Sequence, residues 1–185
     1  MTPIIIPEIV TKKQCKEIIK LQSSWNKSIG TIGAVENENI DYTIRQCMIY
    51  EAESAKQIPT WLGTAIATSI SHVNDEVYKF DLIGELELKL MRYNSAKKDH
   101  YKPHIDIGAE GIALRRKISF TLILNDSYEG GKLRFHGMEE MSDLLNLKIG
   151  DMIIFPSYLT HEVEPVISGI RWALVGWLLG EKHFV

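Results

Sequence analysis

Two periodicities run along this chain. Apolar residues recur at helical spacing in two N-terminal stretches, and over most of the rest they alternate with polar ones as in strands. Ile4-Ile5-Ile6 reads as a short strand. Thr11 and Gln14 have capping-box spacing. Cys15, Ile18, Ile19 and Gln22 then share one face, with Lys12, Lys13, Lys16 and Lys20 on the other. An amphipathic helix with a solvated basic face is therefore predicted to about Trp25. Asn26 to Asp41, with Gly30, Gly33 and several Asn and Glu, predicts a loop, and Ile44 to Tyr50 a strand. Pro59 and Thr60 suit a helix start, where a missing N–H costs little. Trp61, Leu62, Ala65, Ile66, Ser69 and Ile70 form one stripe, so a second helix is expected from Trp61 to Val73, ended by Asn74-Asp75.

The remainder alternates with period two. Leu86, Leu88 and Leu90 oppose Glu85, Glu87 and Lys89 in a half-buried strand over Glu85 to Tyr93. Lys117 to Leu124 is another, with Ser119, Thr121 and Ile123 on one face and Phe120, Leu122 and Leu124 on the other. Gly130-Gly131 turns into Lys132 to Phe135, Gly150-Asp151 turns into Met152 to Phe155, and Ile170 to Leu178 is a last strand-like run. Many short strands between turn signals argue for a jelly-roll barrel with the two helices packed outside. The fold class expected is α+β, mainly β, as a single domain over 1–185.

Composition narrows the setting. A length of 185 residues, 45% apolar, suffices for one substantial core. A net charge of −3 gives no electrostatic case for nucleic acid or an anionic membrane. Cys15 and Cys47 make no disulfide framework. The start has no basic segment ahead of a signal-like apolar run, and no apolar run approaches the ~20 residues of a membrane helix. A cytoplasmic protein, taken as a monomer, is expected.

The candidate chemistry sits in Tyr101-Lys102-Pro103-His104-Ile105-Asp106. On an extended strand, residues two apart face the same way, so His104 and Asp106 project together and Ile105 turns away into packing. His161 offers a third ligand. Two His and one carboxylate on one face of a metal form the facial triad of non-heme Fe(II) oxygenases. Arg171 shares a strand face with Ala173, Val175 and Trp177, and a buried arginine there requires an anionic partner. Asn94 to Asp99 and Gly108 to Gly111 flank the ligands as breaker-rich loops, expected to be mobile without substrate. His72, His100, His136 and His183 read as surface histidines, His100 being close enough to touch substrate.

These motifs, with Met91-Arg92-Tyr93, Arg116 to Asn125, Tyr128-Glu129-Gly130-Gly131-Lys132-Leu133, Gly150 to Ser157, His161 to Val166 and Ser168-Gly169-Ile170-Arg171, resemble the Fe(II)- and 2-oxoglutarate-dependent oxygenases, specifically the prolyl hydroxylases. The resemblance covers Leu86 to Leu179. It implies a double-stranded β-helix with the metal at its open end. It implies Fe(II) held by His104, Asp106 and His161, and 2-oxoglutarate whose far carboxylate meets Arg171, helped by Tyr93 and, more weakly, by Thr121 and Ser119. O2 would be the co-substrate and ascorbate the reductant. Arg116, Trp177 and Tyr101 match positions that contact the prolyl substrate, so the resemblance implies hydroxylation of a peptidyl-proline, to 4-hydroxyproline. Other substrates in the same class stay open: a free amino acid, another side chain or a small metabolite. A zinc hydrolase lacks a general-base glutamate here, and a non-catalytic jelly roll would leave the triad and Arg171 without purpose.

Overall fold

The computed structural model describes residues 1–31 and 40–181. Gly33, within the predicted loop, and His183 lie outside them. The strands form two sheets. The larger contains β1 (Ile4–Ile6), β2 (Asn26–Ile29), β4 (Met48–Glu51), β5 (Leu86–Asn94), β7 (Arg116–Ile123), β10 (Met152–Pro156) and β12 (Val166–Leu179), ordered β1-β10-β7-β12-β5-β4-β2, with β8 (Tyr128–Gly130) paired to the start of β12. The smaller runs β3-β6-β11-β9, from Arg45–Gln46, His100–His104, His161–Val163 and Leu133–Phe135. This is the expected double-stranded β-helix.

The alternation sorts side chains between two cores. Leu88, Leu90, Phe120, Leu122 and Leu174 point out of the large sheet against Ile18 of α1 (Lys12–Lys20) and Leu62, Ile66 and Ile70 of α2 (Thr60–Val73). Met91, Tyr93, Ile153, Phe155, Leu133 and Phe135 point inward between the sheets. The polar face of β5 looks into the barrel mouth, where Lys89 pairs with Glu51 at 2.7 Å and Glu87 with Arg116.

Thr11 caps α1 as expected: Gln14 N–H donates to its hydroxyl, and its own N–H donates to the Gln14 side chain. The α-helix ends at Lys20, and a 3-10 turn completes the run to Ser23. The α-helix α2 ends at Val73 as expected, with Asn74 as its C-cap. The Asn74 side chain bonds both backbone groups of Phe80, carrying the chain through a π turn, Asn74–Tyr78, to a left-handed Lys79.

Two expectations are corrected, and one element appears that the sequence reading left unassigned. Asn26–Ile29 is a strand within the predicted loop; its side chains are all exposed, and backbone pairing to β4 alone holds it. The run from Ile44 to Tyr50 is two strands in different sheets, broken at Cys47. A short helix, α3 (Glu139–Leu144), covers β9, tied by Ser142 Oγ, which accepts from Phe135 N–H and donates to Phe135 O.

Candidate active site

The two histidines come from neighbouring strands of the small sheet. His104 ends β6, His161 begins β11, and they are direct partners in the antiparallel register. Each imidazole is set by its own chain: His104 Nδ1–H donates to Lys102 O at 2.8 Å, and His161 Nδ1–H to Leu159 O at 2.9 Å. Both Nε2 lone pairs are thereby left free to face one space, as metal-binding histidines require.

Asp106 completes the set from outside the strand. It sits in a bend beyond β6, held where its N–H donates to Ser157 O at 3.0 Å. The expected strand geometry is corrected here, and with it Ile105, which is 48% exposed instead of packed. Asp106 Oδ1 lies 3.6 Å from His104 Nε2 and Oδ2 3.5 Å from His161 Nε2. All three ligand atoms fall within 4.8 Å of one another. This donor set of two imidazoles and one carboxylate fits Fe(II) and leaves one side open.

The charges suit metal capture. Burial, and then the neighbouring His161, push His104 down to about 3, so its ring is neutral. Burial alone would raise Asp106. The two imidazoles, the Ser119 hydroxyl and the Trp177 indole outweigh it and hold the carboxyl below its usual range.

Beyond the triad, Tyr93 and Arg171 face each other across β5 and β12. Arg171 is 1% exposed, with its guanidinium carbon 5.4 Å from the Tyr93 ring centre. Among the described residues its Nε has no hydrogen-bond partner, and no carboxylate comes within ion-pairing distance of it. An arginine so buried is costly unless an anion completes it. The site holds it rigidly. Asn125 extends the ladder beyond β7, donating to Ile170 O and accepting from Trp172 N–H on either side of Arg171. Gly131 (φ +60°) makes room for its stem, since a Cβ there would come within 2.9 Å of Arg171 Cδ. Tyr93 is pushed up, chiefly by burial, and keeps its hydroxyl proton. Thr121 lines the same pocket.

Of the three residues matched to a prolyl substrate, Tyr101 and Trp177 line the pocket, and Arg116 is next to it against Trp177. Tyr101 stacks on His104, ring centres 3.5 Å apart. Arg116 lies 3.9 Å over the Trp177 ring. It is not a solvated basic residue: Nε and Nη2 donate to Glu87 at 2.7 and 3.2 Å, and Nη1 to Asp106 O at 3.2 Å. Ser119 reaches the metal set itself, donating to Asp106 Oδ2 at 2.7 Å.

Other histidines stay apart. His136 pairs with Glu162 at 3.3 Å. His100 sets its ring nitrogens against Lys98 O and Thr43 O, tying the turn after β5 to the segment ahead of β3. That turn is also anchored by Asp99, whose carboxylate accepts from Asn94 N–H and whose carbonyl accepts from Val166 N–H.

Sequence reasoning missed Arg45, Glu87 and Ser157. Arg45 lines the pocket 4.4 Å over the Tyr101 ring, donates to Thr31 O, and among the described residues has no partner for its Nε. Its signal was a lone charge inside an apolar run. Glu87 was visible as the middle of three charged positions on β5. Ser157 stood inside a quoted motif with nothing to mark its hydroxyl.

Comparison with known proteins agrees with this geometry. Residues 88–179 match the family model of the 2OG-Fe(II) oxygenase superfamily, and the chain belongs to that superfamily. Within it the fold is of the prolyl hydroxylase type: a prolyl hydroxylase from Trichoplax adhaerens, solved with a hypoxia inducible factor peptide fragment, superposes with a TM-score of 0.72 at 20% identity, over 97% of this chain and 84% of that one. In sequence, a PKHD-type hydroxylase of Hyphomonas neptunium is 39% identical over 89 residues, 45% of this chain and 39% of the relative. Another, from Synechococcus sp. (strain CC9605), is 31% identical over 134 residues, 70% and 58% respectively. The matches thus span less than two thirds of these relatives' length. Membership implies Fe(II), 2-oxoglutarate and O2. No helix among the described residues is long and apolar enough to cross a membrane.

Proposed function

We propose that this chain hydroxylates a peptidyl-proline, to 4-hydroxyproline, using Fe(II) at His104, Asp106 and His161, 2-oxoglutarate and O2. One oxygen atom would enter a substrate C–H bond while 2-oxoglutarate is converted to succinate and CO2. The observation that carries the reading is Arg171: a buried guanidinium with an unpartnered Nε, facing Tyr93 in the barrel that presents a His-Asp-His donor set. A dicarboxylate spanning from metal to guanidinium satisfies both, and the planar fork suits its far carboxylate. Bound iron supplies the oxidation chemistry. The chain's own residues bind, orient and exclude water.

For the substrate, Tyr101, Trp177 and Arg116 supply an aromatic wall with an arginine on it. Aromatic faces suit a pyrrolidine ring, and Arg116 keeps donor capacity for a carbonyl beyond its bonds to Glu87 and Asp106. A second reading, a free amino acid or small metabolite, is favoured by Arg45, a cationic side chain among those that line the same pocket.

Mass spectrometry on proline-containing peptides and free proline, with Fe(II), 2-oxoglutarate and ascorbate under air, tests this, with Asp106→Ala run alongside. A 2-oxoglutarate-dependent gain of one oxygen on peptidyl-proline, lost in the variant, is expected. Oxidation of free proline alone would favour the second reading. Succinate formation with neither substrate modified would sink the prolyl assignment.

A further inference from the structure

Asp106 is the one metal-binding candidate that no strand fixes, since it lies in a bend beyond β6. Its carboxylate is gripped instead from the opposite sheet. Ser119 of β7 is flanked in register by Phe155 of β10 and Trp177 of β12. The middle of these three strands sends a donor to Asp106: the Ser119 hydroxyl, at 2.7 Å from Oδ2. Behind Ser119 stands Ser157, 0% exposed, with its hydroxyl oxygen 2.9 Å from that of Ser119.

Proton counting gives this chain a direction. An ionised carboxylate only accepts, so Ser119 spends its single hydroxyl proton on Asp106. The short contact between the two serines then requires Ser157 to donate to Ser119. Ser157 is itself pinned, its N–H donating to Lys117 O and its carbonyl accepting from Asp106 N–H. The same serine thus holds the Asp106 backbone directly and its side chain through one intermediary.

We propose that the relay from Ser157 through Ser119 to Asp106 Oδ2 sets the rotation of the carboxylate, so that Oδ1 is presented to the metal as a single ligand. Ser119 and Ser157 are positioning residues for metal capture. This rests on the metal-binding reading above. Outer-shell partners of metal ligands typically contribute roughly 10- to 100-fold in affinity, and a charge-assisted O–H to carboxylate bond is among the stronger kinds.

The test is Co(II) titration of the metal-free protein, followed by visible absorption, for wild type, Ser119→Ala, Ser157→Ala, the double variant and Ser119→Thr. Ser119→Ala is expected to weaken Co(II) binding roughly 10- to 100-fold and to change the absorption bands. Ser157→Ala should weaken it less. The double variant should be no worse than Ser119→Ala, because Ser157 acts on the side chain through Ser119. Ser119→Thr, which restores the hydroxyl, should recover most of the affinity. Wild-type affinity in Ser119→Ala, or losses that simply add, would overturn the relay while leaving the metal site standing. A wild type that binds no Co(II) would overturn the metal reading and the relay together. Should Ser119→Ala fail to fold, Ser157→Ala and Ser119→Thr still decide it: a Ser157→Ala affinity equal to wild type overturns the relay.

Discussion

His104 and His161 stand directly opposite each other across the β6–β11 ladder, with ring centres 4.3 Å apart. Strand register, which is among the most strongly specified features of a half-buried sheet, therefore fixes the separation of two candidate metal ligands. A variant that removes one imidazole should leave the ladder intact. His161→Ala and Asp106→Ala are each expected to lose metal binding and turnover while melting, metal-free, close to wild type. Metal content after chelation and reloading, with melting curves beside it, measures both. Full turnover in either variant would remove that residue from the triad.

Arg171 predicts a selective defect. A charge-assisted hydrogen bond contributes about 1.5–3 kcal/mol, so Arg171→Ala should raise the apparent KM for 2-oxoglutarate roughly ten- to a hundredfold and that for peptide far less. Gly131→Ala should move the same constant in the same direction, because the new methyl crowds Arg171 Cδ. Steady-state kinetics with each substrate varied separately reads this split. Equal changes in both constants would argue for general disruption.

Arg116 joins the substrate wall to the metal set. It stacks on Trp177, pairs with Glu87 and donates to the Asp106 carbonyl. Arg116→Ala is expected to raise KM for peptide and to uncouple the reaction, giving more succinate per hydroxylated product. Glu87→Gln, which keeps one acceptor, should do the same more mildly. The succinate-to-product ratio is the measurement, and a ratio unchanged from wild type would confine Arg116 to binding alone.

His104 predicts how the metal-free protein responds to acid. In the unfolded chain its imidazole takes up a proton near its ordinary value of 6.5; in the folded protein this waits until about 3. Between those values the unfolded state binds more protons, so stability falls as pH drops, by at most about 1.4 kcal/mol per pH unit from this group. Asp106 is depressed, so its contribution is present above the ordinary carboxylate pKa and is lost at lower pH, as it protonates through its folded value. Urea unfolding of metal-free His104→Gln should show a flatter stability curve between pH 6.5 and about 4. A curve parallel to wild type would mean that His104 is protonated in the fold.

Much of this was readable before any coordinates. Period-two alternation in Glu85 to Tyr93 and Lys117 to Leu124 separated helix-facing from barrel-facing residues, because burial on one side imposes that pattern. Thr11 and Gln14 announced their cap through local chemistry. What escaped were features with no local signal. Asn26–Ile29 pairs through backbone alone, so its side chains carry no strand pattern. The π turn that follows α2 depends on Phe80, which supplies both partners of the Asn74 side chain. Ser157 and Arg45 acquire roles only through residues that are distant in sequence, Ser119 and Tyr101.

The switch at Cys47 bears on how such proteins can be recombined. Within a few residues the chain gives Arg45 to the small sheet, over Tyr101, and Ile49 to the large one, opposite Met91. The segment that matches the superfamily begins only at residue 88. A chimaera that grafts residues 88–179 onto a foreign N-terminal half would inherit the proposed iron ligands, but the wall over Tyr101 would be the recipient scaffold's own. Exchange of 45–51 together with 88–179 is the smallest transplant that would carry this pocket whole.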